Sequence, residues 1–190
     1  MSEYNTQTEQ DNITNGVNVS ALFNTIDAVK HDTQLADFRF RASNHWIDGG
    51  HNRSTIQGFY GCRDEDSSRT QPFVMDADEP AVLLGQDKGA NPVEYILHAL
   101  AACMTTSMVY HAAARGIEIK AVESSLEGDL DLRGFLGLSD KVRKGYHQVR
   151  VNFKVQCNTD ASLLRELAQF SPVYDMVSNS LPVEVNIETY

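Results

Sequence analysis

The stretch of sequence that decides the fold is residues 89–116, GANPVEYILHALAACMTTSMVYHAAARG. Asn91-Pro92-Val93-Glu94 combines a capping residue, a proline at the first helical position and a glutamate at the third, which is the pattern of a capping box. Tyr95 to Ala114 contains no aspartate, glutamate, lysine or arginine, and Arg115-Gly116 is typical of a helix end. The stretch therefore predicts a single long helix that is buried on most of its sides.

The uncharged part of this helix is also long enough to cross a membrane. Thr105-Thr106-Ser107 and the two histidines at 98 and 111 interrupt it, and neither a second apolar span nor a basic flank accompanies it. We therefore predict a core helix and no membrane partner.

Segments on both sides of the helix alternate between apolar and polar residues, as half-buried strands do. Before the helix, two strands are expected to form a hairpin across Asp48-Gly49-Gly50, followed by a third: Phe38–Ala42, Ser54–Tyr60 and Pro72–Ala77. After it we expect two long strands, two short helices and a closing strand: Ile117–Leu132, His147–Cys157, Asp160–Phe170, Pro172–Asn179 and Pro182–Glu188. Strands that do not alternate regularly with helices indicate an α+β fold with a mainly antiparallel sheet.

The N-terminal region reads differently from the rest of the chain. Residues 1–17 are polar and predict a disordered or loosely docked arm. Residues 18–36 have apolar positions at helical spacing and predict an additional helix. We therefore expect the main domain to cover residues 37–190.

Composition limits the partners of this chain of 190 residues, in which 16 Lys+Arg stand against 26 Asp+Glu, a net charge of −10. Such a chain repels phosphate backbones and anionic lipid, so no nucleic-acid partner is expected. The N-terminus lacks the basic and apolar regions of a signal peptide, so a cytoplasmic location is expected.

Cys103 is the first candidate for chemistry, and its position in the middle of the predicted helix leaves two interpretations open. It is either a small buried core thiol or a reactive one. It follows Asn91 by 12 residues, which is too far for the helix N-terminus to lower its pKa. A reactive thiolate would therefore need a cation from elsewhere in the fold, with arginine the best suited. Cys62 and Cys157 are interpreted as incidental.

Glu94 is a candidate catalytic carboxylate, but the capping box explains it equally well. On a regular helix, Glu94 and Cys103 would face opposite sides, because nine residues advance the helix by about two and a half turns. The histidines at 45, 51, 98 and 111 show no metal-ligand spacing, so we expect neither a metal nor a cofactor.

The assembled pattern resembles the OsmC/Ohr family of thiol-dependent, peroxide-responsive proteins. The resemblance rests on the glycine-rich loop, the N-P-x-E motif and the apolar helix with a central cysteine, all within Gly89–Gly116, and on the order of elements over residues 37–188. It implies an OsmC-like fold with the sheet wrapped around a long central helix in an intertwined homodimer. It also implies that a helix cysteine attacks an organic hydroperoxide, assisted by an arginine from the first hairpin and a glutamate near the helix start.

Matched to that family, Cys103 takes the peroxidatic position, Arg53 is the best match to the arginine, and Arg39 and Arg41 are reserves. Glu94 stands one residue later than the family's glutamate. Ser171 stands where the peroxidase branches have the second cysteine, so we expect an external thiol reductant. The resemblance therefore implies a one-cysteine hydroperoxide reductase or a peroxide-responsive protein. The alternative is a non-catalytic dimer that binds a small apolar molecule in its interface pocket.

Overall fold

The computed structural model describes residues 12–190, which divide into two compact units on either side of the Tyr95–Ile96 bond. The first unit contains β1 Ile13–Thr14, β2 Val17–Asn18, α1 Val19–His31, β3 Ser43–Asp48, β4 His51–Ile56, β5 Phe59–Gly61, β6 Asp64–Asp66 and β7 Phe73–Ala77, with 3-10 turns at Thr33–Ala36 and Ala81–Leu83. Helix α2, Pro92–Ala113, begins in this unit and continues into the second. The second unit also contains β8 Ile119–Asp129, α3 Leu132–Phe135, β9 Gln148–Cys157, α4 Ala161–Ala168 and α5 Pro172–Ser178.

The first unit is built around an antiparallel three-stranded sheet in the order β3-β4-β7. β3 and β4 form a hairpin at the predicted turn, where Gly49 adopts a φ of 55°. β5 and β6 form a separate small hairpin. The hairpin at β3 and β4 matters most, because it carries the arginine that the sequence assigned to the candidate site.

The first predicted strand, Phe38–Ala42, is wrong. Only Arg39 in it makes a bridge, to Tyr60, and the strand begins at Ser43 instead. The alternation of Phe38 and Phe40 reflects an aromatic cluster, because both rings lie within 6.2 Å of another phenylalanine ring, centroid to centroid. The second predicted strand, Ser54–Tyr60, is two strands, β4 and β5.

The N-terminal predictions also change in detail. Residues 1–11 of the predicted arm lie outside the described residues, while 13–18 form the β1-β2 hairpin, with Val17 buried. The predicted helix over 18–36 is α1, capped by the Asn18 side chain, followed by a 3-10 turn. The helix ends at His31, because Asp32 has an extended backbone and caps the turn instead.

The second unit packs one stripe of α2 against the long β8-β9 hairpin and helices α4 and α5. The stripe repeats every four residues, and its members are all at most 7% exposed: Leu100, Met104, Met108 and Ala112. From α4, Leu164, Leu167 and Ala168 complete the core. By length and composition α2 could also cross a membrane, but this stripe packs as that of a core helix.

The predicted closing strand, Pro182–Glu188, is not formed. Val183, Val185 and Ile187 are 77%, 72% and 83% exposed, and within residues 12–190 no strand pairs with this segment. The alternating apolar residues of this segment form one apolar face, which a strand would bury in a sheet. One copy of the chain does not provide the neighbouring strand. The segment between β8 and β9 contains the short helix α3, which was not predicted.

Candidate functional site

Cys103 lies beside the buried stripe of α2 rather than within it. Its thiol is free and partly exposed. The next residue in the chain, Met104, is buried, and one residue step turns the side chain about 100° around the helix. Ile96 and Tyr110 are seven residues away in each direction, so they share its side of the helix, and they are 45% and 48% exposed. The thiol therefore lies on an apolar but accessible face, which differs from a sealed core cysteine.

Glu94 closes the capping box at the start of α2. Its Oε2 accepts a hydrogen bond from the Asn91 backbone N–H at 2.9 Å, and Asn91 Oδ1 accepts from the Val93 N–H at 2.9 Å. The Asn91 side-chain amide also donates to Glu79. Glu94 thus has the structural role that its spacing predicts, and its catalytic role stays a prediction.

Arg53 lies on β4 directly opposite Asp76 of β7. Its Nε donates to Asp76 Oδ1 at 2.8 Å and its Nη2 to Oδ2 at 3.0 Å, a bidentate pair in which Arg53 remains 43% exposed. Because this pair uses Nε and Nη2, Nη1 is left to bind another group. The guanidinium is therefore held at one edge and accessible at the other.

His51 is a second donor to Asp76, through Nε2 at 2.9 Å. An ionised carboxylate only accepts hydrogen bonds, so the ring carries a proton on Nε2. Tyr95 donates its hydroxyl to the Asp76 carbonyl oxygen at 2.7 Å. The backbone of Gly89 packs closely against the same carbonyl, because a Cβ on Gly89 would lie only 2.1 Å from the Asp76 carbonyl oxygen. The strand carrying Asp76 is thus fixed from three directions.

Asp78, two residues further along, organises the loop that leads into α2. It is 1% exposed and accepts hydrogen bonds from the backbone N–H groups of Glu79, Gln86 and Lys88. Burial by itself raises the pKa of Asp78, but these hydrogen bonds outweigh it, and the pKa lies below its ordinary value. The loop therefore closes around a buried carboxylate.

The reserve arginines are also engaged. Arg41 forms a bidentate pair with Glu65 at 2.7 Å for both bonds, and the Arg39 guanidinium lies 5.9 Å from the Tyr60 ring centroid. Sequence reasoning named Arg53 but missed Asp76 and His51. The sequence could have indicated His51, because alternation puts residues 51 and 53 on the same face of the strand. It could not indicate Asp76, because the pairing of residue 53 with residue 76 depends on the register of β4 and β7.

The predicted site residues fall in different units. Arg53 and Glu94 belong to the first unit and Cys103 to the second. Within the first unit, the carboxylate on the Arg53 guanidinium is Asp76 rather than Glu94. Over residues 12–190, no group of three or more histidine, cysteine, aspartate or glutamate side chains is arranged to hold a metal ion.

The comparison with protein families decides the assignment of this arrangement. The sequence model of the OsmC-like protein family matches residues 85–186, which include the glycine-rich loop, α2 and the whole β8-β9 hairpin. The chain belongs to the OsmC-like family. No curated protein sequence matches it closely enough to count as a relative.

Solved structures show the same fold at low sequence identity. An OsmC-like protein from Mycoplasma pneumoniae is 14% identical with a TM-score of 0.57, covering 75% of this chain and 89% of that protein. An OsmC-like protein of unknown function from Vibrio cholerae is 13% identical with a TM-score of 0.51, covering 77% and 95%. The predicted OsmC-like α+β fold is therefore confirmed.

Ser171 of this OsmC-like protein has a structural role of its own. It is 1% exposed and caps α5, where its Oγ accepts a hydrogen bond from the Tyr174 backbone N–H at 3.1 Å. A serine hydroxyl suits this cap, because it accepts a hydrogen bond from the first turn. It cannot form a disulfide, so this position supplies no second thiol.

The Asp76 cluster makes the stability of the OsmC-like protein sensitive to acid. Hydrogen bonds from Arg53, then from His51, lower the pKa of Asp76 to about 2, against about 3.9 in an unfolded chain. Because the pKa of Asp76 is lower in the folded chain than in the unfolded chain, its ionised carboxylate stabilises the fold at pH values above the unfolded pKa. This stabilisation is lost as the pH falls towards the pKa of the folded chain. Urea unfolding of wild type and Asp76→Asn should therefore show a stability difference that is constant above about pH 4 and shrinks towards pH 2. Arg53→Gln should show the same trend, and a difference independent of pH would contradict this account.

Proposed function

We propose that this OsmC-like protein is a thiol-dependent organic hydroperoxide reductase, with Cys103 as its only peroxidatic thiol. The observation that carries the proposal is the position of Cys103 on the accessible apolar face of α2, next to the buried stripe. A purely structural thiol would lie within the stripe, among the packed side chains of the core. Apolar side chains around it favour an alkyl hydroperoxide over hydrogen peroxide, because burial of an alkyl group is favourable.

The first step oxidises the thiolate by two electrons. The Cys103 sulfur attacks the distal oxygen of the hydroperoxide, an S–O bond forms and the O–O bond breaks. The leaving alkoxide takes up a proton and departs as the alcohol, while Cys103 is left as sulfenic acid. The step needs a thiolate, so it needs a positive charge nearby.

Arg53 is the group that we assign to this task. The Asp76 pair fixes its Nε edge, while Nη1 remains able to bind the thiolate or the peroxide oxygen. The arginine would come from the same chain or from a second copy of it. Asp76 orients the Arg53 guanidinium, and Glu94 is retained as the second assisting group that the resemblance implies.

An external thiol completes the proposed cycle. A small thiol attacks the Cys103 sulfenic acid, water leaves, and a mixed disulfide forms. A second thiol then releases reduced Cys103 and carries the disulfide away. This route follows from Ser171, which supplies no internal resolving thiol. It also assigns the protein to the cytoplasm, where thiols are kept reduced.

We further propose that the working form is a homodimer. Two apolar surfaces of the single chain are exposed, the Ile96–Tyr110 side of α2 and the alternating segment Val183–Ile187. Exposed apolar area of this kind is typical of an interface. A second copy would provide the neighbouring strand that the C-terminal segment lacks. It would also cover Ile96 and Tyr110, and leave Cys103 in a pocket between the two copies that the hydroperoxide can enter.

The proposal is tested by trapping the sulfenic acid. The reduced protein is mixed with one equivalent of cumene hydroperoxide and dimedone, and the adduct is located by peptide mass spectrometry. We expect stoichiometric labelling at Cys103 within seconds and slower labelling at exposed Cys62. Labelling of Cys62 before Cys103, or no adduct within minutes, would contradict the proposal.

A further inference from the structure

A cavity of about 700 Å³ lies wholly within the second unit, between α2, β9, α4 and α5. Its volume is in the range of pockets that hold small organic ligands, roughly 300–1,000 Å³. Cys103 is not among its lining residues. The cavity is therefore separate from the proposed peroxidatic site.

The floor of the cavity reaches the core of the unit. Met108, Leu164 and Ala168 line it and are 1%, 6% and 2% exposed. Val151 and Phe153, which are two residues apart on β9 and so point to the same side, contribute to the wall. These side chains provide an apolar interior that suits an alkyl chain and offers it no hydrogen-bond partner.

Polar groups of the lining come largely from α4 and the segment after it. Arg165 supplies a guanidinium, and Gln169 donates to the Tyr174 hydroxyl at 3.3 Å. None of the lining residues that the structure describes is an aspartate or a glutamate. In a chain with a net charge of −10, a lining with a cation and no carboxylate selects for an anion.

Two carboxylates lie close to Arg165 in sequence, Glu166 beside it and Asp160 five residues before it. Asp160, at the start of α4, accepts hydrogen bonds from the backbone N–H and the hydroxyl of Ser162. Within residues 12–190 the structure places no carboxylate within ion-pair distance of Arg165. Arg165 is therefore able to bind an anionic group from outside the chain.

We infer that this cavity is a binding site for an anionic amphiphile with an unbranched alkyl chain, such as a fatty acid. The alkyl chain lies along Val151 and Phe153 towards Met108, and the carboxylate binds the Arg165 guanidinium. This inference is independent of the proposed peroxidase activity, because Cys103 does not line the cavity and the thiol that does line it, Cys157, takes no part in the proposed reaction.

Isothermal titration of the full-length protein with dodecanoate, below its critical micelle concentration, tests the site. Dodecanol and dodecyltrimethylammonium serve as neutral and cationic probes with the same alkyl chain. We expect dodecanoate to bind, dodecanol to bind more weakly and the cation not to bind. The inference would be overturned if dodecanoate did not bind, which is the result expected if the C-terminal segment or a second copy fills the cavity. Equal binding of the three probes would also overturn it.

Two variants locate the binding. Arg165→Gln should weaken dodecanoate binding about tenfold and dodecanol binding less than about twofold, because only the charged hydrogen bond is lost. Arg143→Gln, at an exposed arginine outside the cavity, should change neither. Val151→Trp should fill the cavity and weaken both probes, with circular dichroism as the check on folding. If Arg165→Gln left dodecanoate binding unchanged, the inference would be wrong whatever Val151→Trp did.

Cys103→Ser provides the link to the proposed function. It should abolish peroxide chemistry and leave dodecanoate affinity unchanged within about twofold, because Cys103 is not one of the residues that line the cavity. Loss of dodecanoate binding in this variant would show that the two sites are one, and would overturn the separate site.

Discussion

Replacing Cys103 by serine is expected to reduce hydroperoxide turnover by roughly a thousandfold or more, because serine provides no thiolate and the chain has no second thiol at position 171. The assay follows loss of cumene hydroperoxide with a small dithiol as reductant. The substitution changes one atom on a partly exposed face, so the thermal midpoint should move by only a few degrees. A loss of turnover with an intact fold would identify the peroxidatic residue.

Cys62→Ser and Cys157→Ser are the matched controls. Cys62 is exposed in the tight turn between β5 and β6, and the Cys157 thiol lies within 3.8 Å of the Thr159 carbonyl oxygen at the end of β9. Both variants should keep turnover within about twofold of wild type. Activity that survives in Cys103→Ser but disappears in Cys157→Ser would move the reactive thiol to β9 and refute the proposed mechanism.

The central helix could be predicted from the sequence because its signals are local. Asn91, Pro92 and Glu94 specify its start through groups at most three residues apart, and Gly116, with a φ of 68°, follows its end. The caps Asn18, Asp160 and Ser171 are of the same kind. Such interactions need no knowledge of the tertiary fold.

The strands were harder to predict because an alternating pattern does not say what covers its apolar face. In Phe38–Ala42 the two phenylalanine rings pack against each other and against Phe59 of β5, although the segment forms no strand. In Pro182–Glu188 the apolar face remains exposed in the single chain. A pattern of period two is satisfied by a loop cluster, by a sheet or by a second copy. Only the tertiary and quaternary contacts distinguish these cases.

The candidate site was predictable as residue types but not as a network. Arg53 was named because the resemblance implies an arginine in the first hairpin. Its partner Asp76 is 23 residues further along and contacts it only through the β4-β7 register. Likewise, Glu94 was recognisable as a carboxylate near the helix start, but one of its two oxygens, Oε2, accepts the hydrogen bond from the Asn91 N–H. Long-range register therefore decides which carboxylate orients the guanidinium.

Replacing Arg53 by glutamine is expected to slow sulfenic acid formation at pH 7 by about a hundredfold, the usual effect of removing one charged group that stabilises a transition state. The loss of the cation should also leave less of Cys103 as thiolate at pH 7, since an opposite charge nearby favours the thiolate. Stopped-flow trapping at pH 7 should therefore show the slower rate, and absorbance at 240 nm should show less thiolate.

Arg41→Gln is the matched control, because Arg41 also forms a bidentate pair with a carboxylate, that of Glu65 on β6, and is similarly exposed, at 44% against 43% for Arg53. It should leave the rate within about threefold of wild type. Removing Arg53 also leaves Asp76 unpaired, so Asp76→Asn/Arg53→Gln separates the two effects. The double variant should remain as slow as Arg53→Gln if the cation itself acts on Cys103. Recovery of the rate in the double variant would mean that the unpaired Asp76 carboxylate had inhibited the thiol. A normal rate in Arg53→Gln with a slow one in Arg41→Gln would transfer the role to Arg41.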